Sequence, residues 1–429
     1  MNPYISRIIN GRMLSATGDL LEETISLGIA GERVAEINRA PDSAVAGDGV
    51  LDARGALILP GFIDLSCNLR EPGNGQKGNI QSETLAAAHG GFTTVCASPD
   101  TSPVNDSGAV THLIRDTARV RSGIRVLPLG AATRSLEGEL LSDMVGLKTA
   151  GCVAFSNGSR PLANARILRR CMAYAQTFGL TLMLQPVNQA LAADGYAHDG
   201  PVAARLGLLG VPEVAETAAV MEMLLLAEET GVRLHLGQLS CGRSVAMIAE
   251  AKARGVAVTA DVAMHQLMFT DEALSGFDSR YHVVPPLRSE ADRKALLAGV
   301  ESGIIDAIVS QHRPDDSASK LAPVGVTAAG MSTVESVFSM GLMLVQRGEL
   351  SLAALVRGLT RGPAAVLGLS SGLDVGALAD FSVWNLDEVW LATPEALRSR
   401  GLHVPIAAAP LAGVNHHTVC GGRLAWSRG

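Results

Sequence analysis

Between about residues 60 and 315, short apolar and β-branched runs alternate with longer amphipathic stretches, and each run ends in a polar cluster. That rhythm predicts parallel strands feeding helices through loops, because a strand covered on both faces reads as an unbroken apolar run. Eight runs qualify: Phe62–Asn68, Thr93–Pro99, Ile124–Thr133, Val153–Asn157, Thr181–Val187, Arg233–Ser240, Val256–Val262 and Asp306–His312. Helical segments such as Ser82–His89, Asn164–Thr177, Glu213–Thr230, Ser244–Ala253 and Arg293–Glu301 lie between them. Eight strand–helix units predict a closed (β/α)8 barrel of the TIM type spanning 58–366, with any chemistry at the strand ends. The flanks, 1–57 and 367–429, alternate apolar and polar residues around glycine turns, which is hairpin patterning. They are expected to pair into one small β-sandwich made from both termini.

Composition narrows the function classes. Of the 429 residues, 47% are hydrophobic and only 3% aromatic, and 35 Lys+Arg against 42 Asp+Glu leave a net charge of −7. A nucleic-acid groove would need basic stripes and aromatic platforms, and an anionic membrane surface would repel such a chain. The first twelve residues lack the apolar core of a signal peptide, and no run is long enough to span a bilayer, so a cytoplasmic location is expected. Six scattered cysteines (Cys67, Cys96, Cys152, Cys171, Cys241 and Cys420) form no CxxC pair and read as reduced, buried thiols.

The end of the first predicted barrel strand reads Pro-Gly-Phe-Ile-Asp-Leu-Ser-Cys-Asn-Leu-Arg-Glu-Pro-Gly over residues 60–73, and the second ends in Ala-Ser-Pro-Asp-Thr-Ser-Pro at 97–103. This resembles the dihydroorotases of the amidohydrolase superfamily, in which strand 1 carries His-x-His-x-Arg before Glu-Pro-Gly and strand 2 ends in Met-Pro-Asn-Thr-x-Pro. Further segments follow in family order: Ala-Phe-Ser-Asn-Gly at 154–158, Gly-Val-Pro-Glu-Val-Ala-Glu at 210–216, Val-Thr-Ala-Asp-Val-Ala-Met-His-Gln at 258–266, Val-Pro-Pro-Leu-Arg at 284–288, Ser-Gln-His-Arg-Pro at 310–314 and Gly-Ala-Leu-Ala-Asp-Phe at 376–381.

The resemblance implies a divalent pair, usually zinc, held by two His on strand 1, a carboxylate on strand 4, His on strands 5 and 6, and Asp on strand 8. The matching positions here are Ser66, Asn68, Asn157, Gln185, Gln238 and Gln311. A hydroxyl and five neutral amides replace imidazoles and carboxylates, and such donors cannot neutralise a bound dication. No metal cofactor is expected, and the residue in the base position, Gln311, cannot take a proton from water. The amides are expected to hydrogen-bond one another. On the substrate side, Arg70 stands where the family grips a carboxylate, but its partner Asn is replaced by Asp100, so an Arg70–Asp100 ion pair is expected to close the pocket. Val284 replaces another polar position, and His312 borders the old strand 8 ligand.

Other chemistry-bearing residues offer weak alternatives. Asp261, His265 and His312 are too scattered for a relocated metal, with His235 and Asp315 as further donors. Cys67, Cys96 and Cys241 lack a neighbouring base, and Cys67 should face the outer helices. The adjacent His416 and His417 should point to opposite faces of a strand. The resemblance therefore implies a pseudoenzyme: an inactive dihydroorotase homologue that associates with aspartate transcarbamoylase in pyrimidine biosynthesis, as a homodimer within a mixed dodecamer. Two alternatives stay open: a divergent amidohydrolase acting on a cyclic amide, and a ligand-sensing module anchored by Arg70.

Overall fold

Eight parallel strands follow one another around a barrel in chain order: Phe62–Cys67, Phe92–Ala97, Arg125–Ala131, Ala154–Ser156, Thr181–Leu184, Arg233–Leu236, Val258–Ala263 and Ala307–Val309. They are called barrel strands 1 to 8 below. The computed structural model describes residues 3–428 apart from 16, 17, 19, 22, 40–47, 405, 407 and 408. The stretch of the amino-terminal flank at 40–47 thus lies outside the described residues. Each expected run holds one strand, and helices such as Ile80–His89, Ala165–Thr177, Val214–Thr230, Gly242–Ala253 and Glu290–Ser302 return the chain between them.

Closure between strands 8 and 1 is made differently from the other seven seams. Strand 8 is only three residues long, and a single bridge joins Cys67 to His312, with the Asn68 amide donating to the His312 carbonyl at 2.9 Å. The buried Asp64 carboxylate replaces the missing ladder: its Oδ1 accepts from the backbone N–H of Ser66 and of Ser310, each at 3.1 Å, and its Oδ2 accepts from the Ser310 hydroxyl. Leu65, Leu129 and Met183 floor the mouth of the barrel.

The termini build two further sheets. Arg7–Gly11, Ile25–Ala30, Arg33–Asn38 and Val50–Asp52 form one, and Leu57–Pro60 joins Phe381–Leu391, Pro410–Cys420 and Arg423–Ser427 in the other. Period-two alternation decides what each face buries. Ile58, Phe381 and Val383 pack with Ile8 and Leu27 of the first sheet, whereas Leu57, Leu59 and Trp384 join the core around the barrel. The second sheet is therefore covered on both faces and fixes the terminal region against the barrel. All six cysteines are free and buried. Among the described residues no helix is long and apolar enough to cross a membrane.

Candidate functional site

The strand ends surround a cavity of about 90 Å³ at the barrel mouth, lined by Ser66, Asn68, Gln185, Gln238 and Gln311 together with Asp100 and Val284. Five of the six positions singled out above thus meet in one place. Three of the polar ones form a chain: Gln311 Nε2 donates to Gln238 Oε1 at 2.9 Å, and Gln238 Nε2 donates to Ser66 Oγ at 3.0 Å. Gln311 Nε2 also donates to the Val284 carbonyl at 2.8 Å, and Gln185 Nε2 approaches the same oxygen at 3.5 Å. The chain runs from the end of strand 8 to strand 6 and on to strand 1. It occupies hydrogen-bonding capacity that would otherwise cost free energy in a half-buried site.

Asn157 departs from this arrangement. Its Oδ1 accepts from the Thr133 hydroxyl at 2.7 Å and its amide donates to the carbonyls of Leu136 and Arg160, so the side chain braces the loop after strand 3. Of the expected mutual amide network the structure forms one amide–amide bond, Gln311 to Gln238, extended to the Ser66 hydroxyl; Asn68 bonds Asp100 and the Arg70 N–H, Gln185 approaches the Val284 carbonyl, and Asn157 braces its loop.

The expected Arg70–Asp100 pair is not formed. Arg70 Nε donates to the Pro314 carbonyl at 2.7 Å, and its guanidinium pairs with Asp315 at 3.3 Å, where Lys77 also binds at 2.9 Å. Asp100 instead accepts from Asn68 Nδ2 at 3.2 Å. The reason is local: Arg70 has a left-handed backbone, φ 61°, with its N–H on Asn68 Oδ1, and its side chain lies along the loop that follows strand 8. Gln238 and Gln311 share that backbone, φ 60° and 49°. Non-glycine residues adopt it at a cost of order 1 kcal/mol or more and keep it only where surroundings impose it. For Gln238 the constraint is Asp261 Oδ1, which accepts its N–H at 2.6 Å.

The alternative donors do not converge on one site. His312 Nδ1 accepts from the Thr333 N–H at 3.1 Å, which leaves Nε2 to donate to Glu83 at 2.8 Å, so both nitrogens are committed. His235 is likewise held between Thr259 and Asp261. His265 is buried beside Gln311, outside good hydrogen-bond geometry, and burial holds its imidazole down at about 4, hence neutral. Among the described residues no three His, Cys, Asp or Glu side chains are grouped so as to hold a metal ion. The hydroxyl and amides at the mouth are uncharged, and three of them are linked to one another, so they do not fit the metal pair that the fold family implies. Cys67 and Cys96 are buried thiols pushed up by desolvation, the opposite of what a nucleophile needs. Farther away, His416 bonds Glu388 and His417 bonds Ser427, with ring planes 87° apart.

Behind the mouth stand three buried carboxylates that pattern reading did not single out. Asp64 closes the barrel, Glu83 receives His312 and the Ser399 hydroxyl, and Glu216 accepts from the N–H groups of Ser240 and Cys241 and from the Ser244 hydroxyl at 2.7 Å. The signal was a charge inside an otherwise apolar strand or Ala-rich helix face. Asp64 carries a testable pH signature. Burial, opposed by its hydrogen bonds, raises its carboxyl from 3.8 to about 6, so the native state binds this proton more tightly than the unfolded chain. Its contribution to stability is therefore present below about pH 4 and falls as pH rises toward 6. Asp64→Asn keeps an acceptor for both N–H groups and lets the Ser310 hydroxyl rotate to accept. Urea denaturation should show the variant gaining on the parent as pH rises across that interval; a difference that is flat with pH would contradict the assignment.

The geometry agrees with comparisons to known proteins. A dihydro-orotase-like family profile matches residues 55–244. A dihydroorotase-like protein of Pseudomonas aeruginosa is 44% identical over 97% of this chain and 98% of its own length. A dihydroorotase of Desulforapulum autotrophicum is 40% identical over 89% of this chain and 90% of its own. The L-hydantoinase (dihydropyrimidinase) of Arthrobacter aurescens superposes with a TM-score of 0.87 at 23% identity, over 99% of this chain and 97% of that one, a likeness of fold. With the Pro-Gly-Phe-Ile-Asp strand, the barrel and the two-terminus sheets all in place, the chain belongs to the dihydroorotase-like family of the amidohydrolase superfamily.

Proposed function

We propose that this chain is a catalytically inactive dihydroorotase homologue, a cytoplasmic non-catalytic subunit that assembles with aspartate transcarbamoylase and stabilises it in pyrimidine biosynthesis. Within the mixed dodecamer it acts as a homodimer. The observation that carries the reading is the Ser66–Gln238–Gln311 hydrogen-bond chain across the barrel mouth. In this reading, Ser66, Asn68, Asn157, Gln185, Gln238 and Gln311 are the vestiges of a metal site, and Arg70, Asp100, Val284 and His312 those of a substrate pocket. Hydrolysis of a cyclic amide needs water activated by a metal or a base, and amides supply neither. Arg70, which a substrate carboxylate would require, is committed to Asp315. Left-handed backbones at Gln238 and Gln311 fit a strand-end frame retained after its chemistry was lost.

The competing reading, a divergent amidohydrolase, draws on the 40% identity to a protein named dihydroorotase. Co-expression with an aspartate transcarbamoylase catalytic chain separates the two. The non-catalytic reading predicts a co-purifying assembly, its mass read by light scattering, with transcarbamoylase activity more stable to heat than that of the catalytic chain alone. Separate elution of the two chains would contradict it.

A further inference from the structure

All three tryptophans of the chain, Trp384, Trp390 and Trp426, line a single cleft of about 210 Å³ that shares no lining residue with the barrel mouth. Strand Phe381–Leu391 supplies the first two and Arg423–Ser427 the third, and the end of helix Ile80–His89 contributes His89. The His89 ring lies 4.7 Å from Trp426 and 5.6 Å from Trp390, centroid to centroid. In a chain with 3% aromatic residues, this gathers the indoles at one cleft: Trp390 and Trp426 remain partly exposed, whereas Trp384 is buried against Phe62 and Phe338 and meets the cleft only at its edge. Packing alone would have closed such a cleft, since aromatic faces left in contact with water forgo the burial that makes them useful in a core.

The polar groups around the cleft select a charge. Arg398 is exposed, lies 5.3 Å from the Trp426 ring centroid, and makes no ion pair among the described residues. Arg428, also at the rim, is paired with Glu388 at 3.0 Å. The carboxylate that lines the cleft, Glu335, is already occupied: it accepts from His89 Nδ1 and from the backbone N–H groups of Arg398 and Ser399. With Nδ1 donating there, Nε2 of the neutral ring is an acceptor, so His89 offers the cleft its ring face and Arg398 is the group that meets an anion.

We propose that this cleft binds a planar aromatic anion, its ring against the exposed indole faces and the His89 ring, and its carboxylate or phosphate on Arg398. A guanidinium already seated on an aromatic face can hold such an anion while the ring stacks beside it. Because every tryptophan of the protein lines the cleft, intrinsic fluorescence reports its occupancy directly.

The test titrates the full chain with benzoate, orotate and adenosine monophosphate, following tryptophan emission and, independently, heat by calorimetry. Cyclohexanecarboxylate, with the charge but no aromatic ring, and benzamide, with the ring but no charge, serve as controls. At least one aromatic anion should quench saturably and bind about tenfold or more tightly than either control. A response to benzoate and orotate alone identifies a carboxylate ligand, and one to adenosine monophosphate a phosphate. Arg398→Ala, an exposed substitution that leaves the fold intact, should weaken binding about tenfold. Trp390→Leu should remove much of the quenching. No saturable response to any of the three anions, equal binding of the controls, or binding unchanged in Arg398→Ala would each overturn the proposal.

Discussion

A chain carrying Ser66→His, Asn68→His, Gln185→His, Gln238→His and Gln311→Asp together should retain about one zinc ion after dialysis, where the parent chain retains only traces. These five side chains line the barrel mouth, and three of them are already linked by bonds of 2.9 and 3.0 Å, within reach of a shared ion. Replacing a hydroxyl and four neutral amides by four imidazoles and a carboxylate supplies the donors zinc requires, and the affinity should reach about micromolar or tighter, roughly 8 kcal/mol. Asn157 is left unchanged because its side chain faces the loop after strand 3. Metal analysis by mass spectrometry decides the matter. Stoichiometric zinc in the parent would refute the account of the mouth as an uncharged, hydrogen-bonded site without metal ligands.

The second large effect is expected at Glu83. Its carboxylate is fully buried and accepts from His312 Nε2 at 2.8 Å, the Ser399 hydroxyl at 2.6 Å and the Arg400 N–H at 3.2 Å. It therefore ties the first barrel helix to the end of strand 8 and to the segment that leads into the carboxy-terminal strands. Glu83→Ala would leave the buried donors of His312 and Ser399, and the part-buried ones of Ser82 and Arg400, without this acceptor, a loss of about 3 to 5 kcal/mol in urea denaturation. Desolvation works against the ionised form, but the hydrogen bonds from His312, Ser399 and Ser82 outweigh it and hold the carboxyl below 4.5. Its contribution is therefore complete above about pH 4.5 and is lost as pH falls through the lowered native value, so the gap between parent and variant should narrow in acid. A loss under about 1 kcal/mol would mean that water replaces the carboxylate without penalty.

The barrel was legible because parallel strands covered on both faces leave continuous apolar runs, and all eight expected runs hold one strand each. The runs overshoot at their carboxyl ends, for example Arg233–Ser240 against an observed Arg233–Leu236. The extra residues are the polar loop positions that form the site, where backbone such as that of Gln238 turns left-handed. That a hydroxyl and amides, not imidazoles or carboxylates, stand at the strand ends was equally plain, since it depends on residue type alone. Partners were harder to read. Arg70 meets Asp315 across 245 positions, and nothing near either residue marks the other. Asn157 was placed at the mouth by its motif, but its orientation depends on Thr133 and the loop it braces. The gathering of three tryptophans from two terminal strands likewise follows from sheet register, which a linear pattern does not display.

The central claim is that this barrel no longer performs the hydrolysis its fold supports. Dihydroorotase turnover by the purified parent chain, measured in both directions with and without added zinc, tests it most directly. The account predicts no rate above the enzyme-free reaction under either condition, alone or in complex with aspartate transcarbamoylase. Saturable turnover that depends on zinc and is abolished by Gln311→Ala would contradict it.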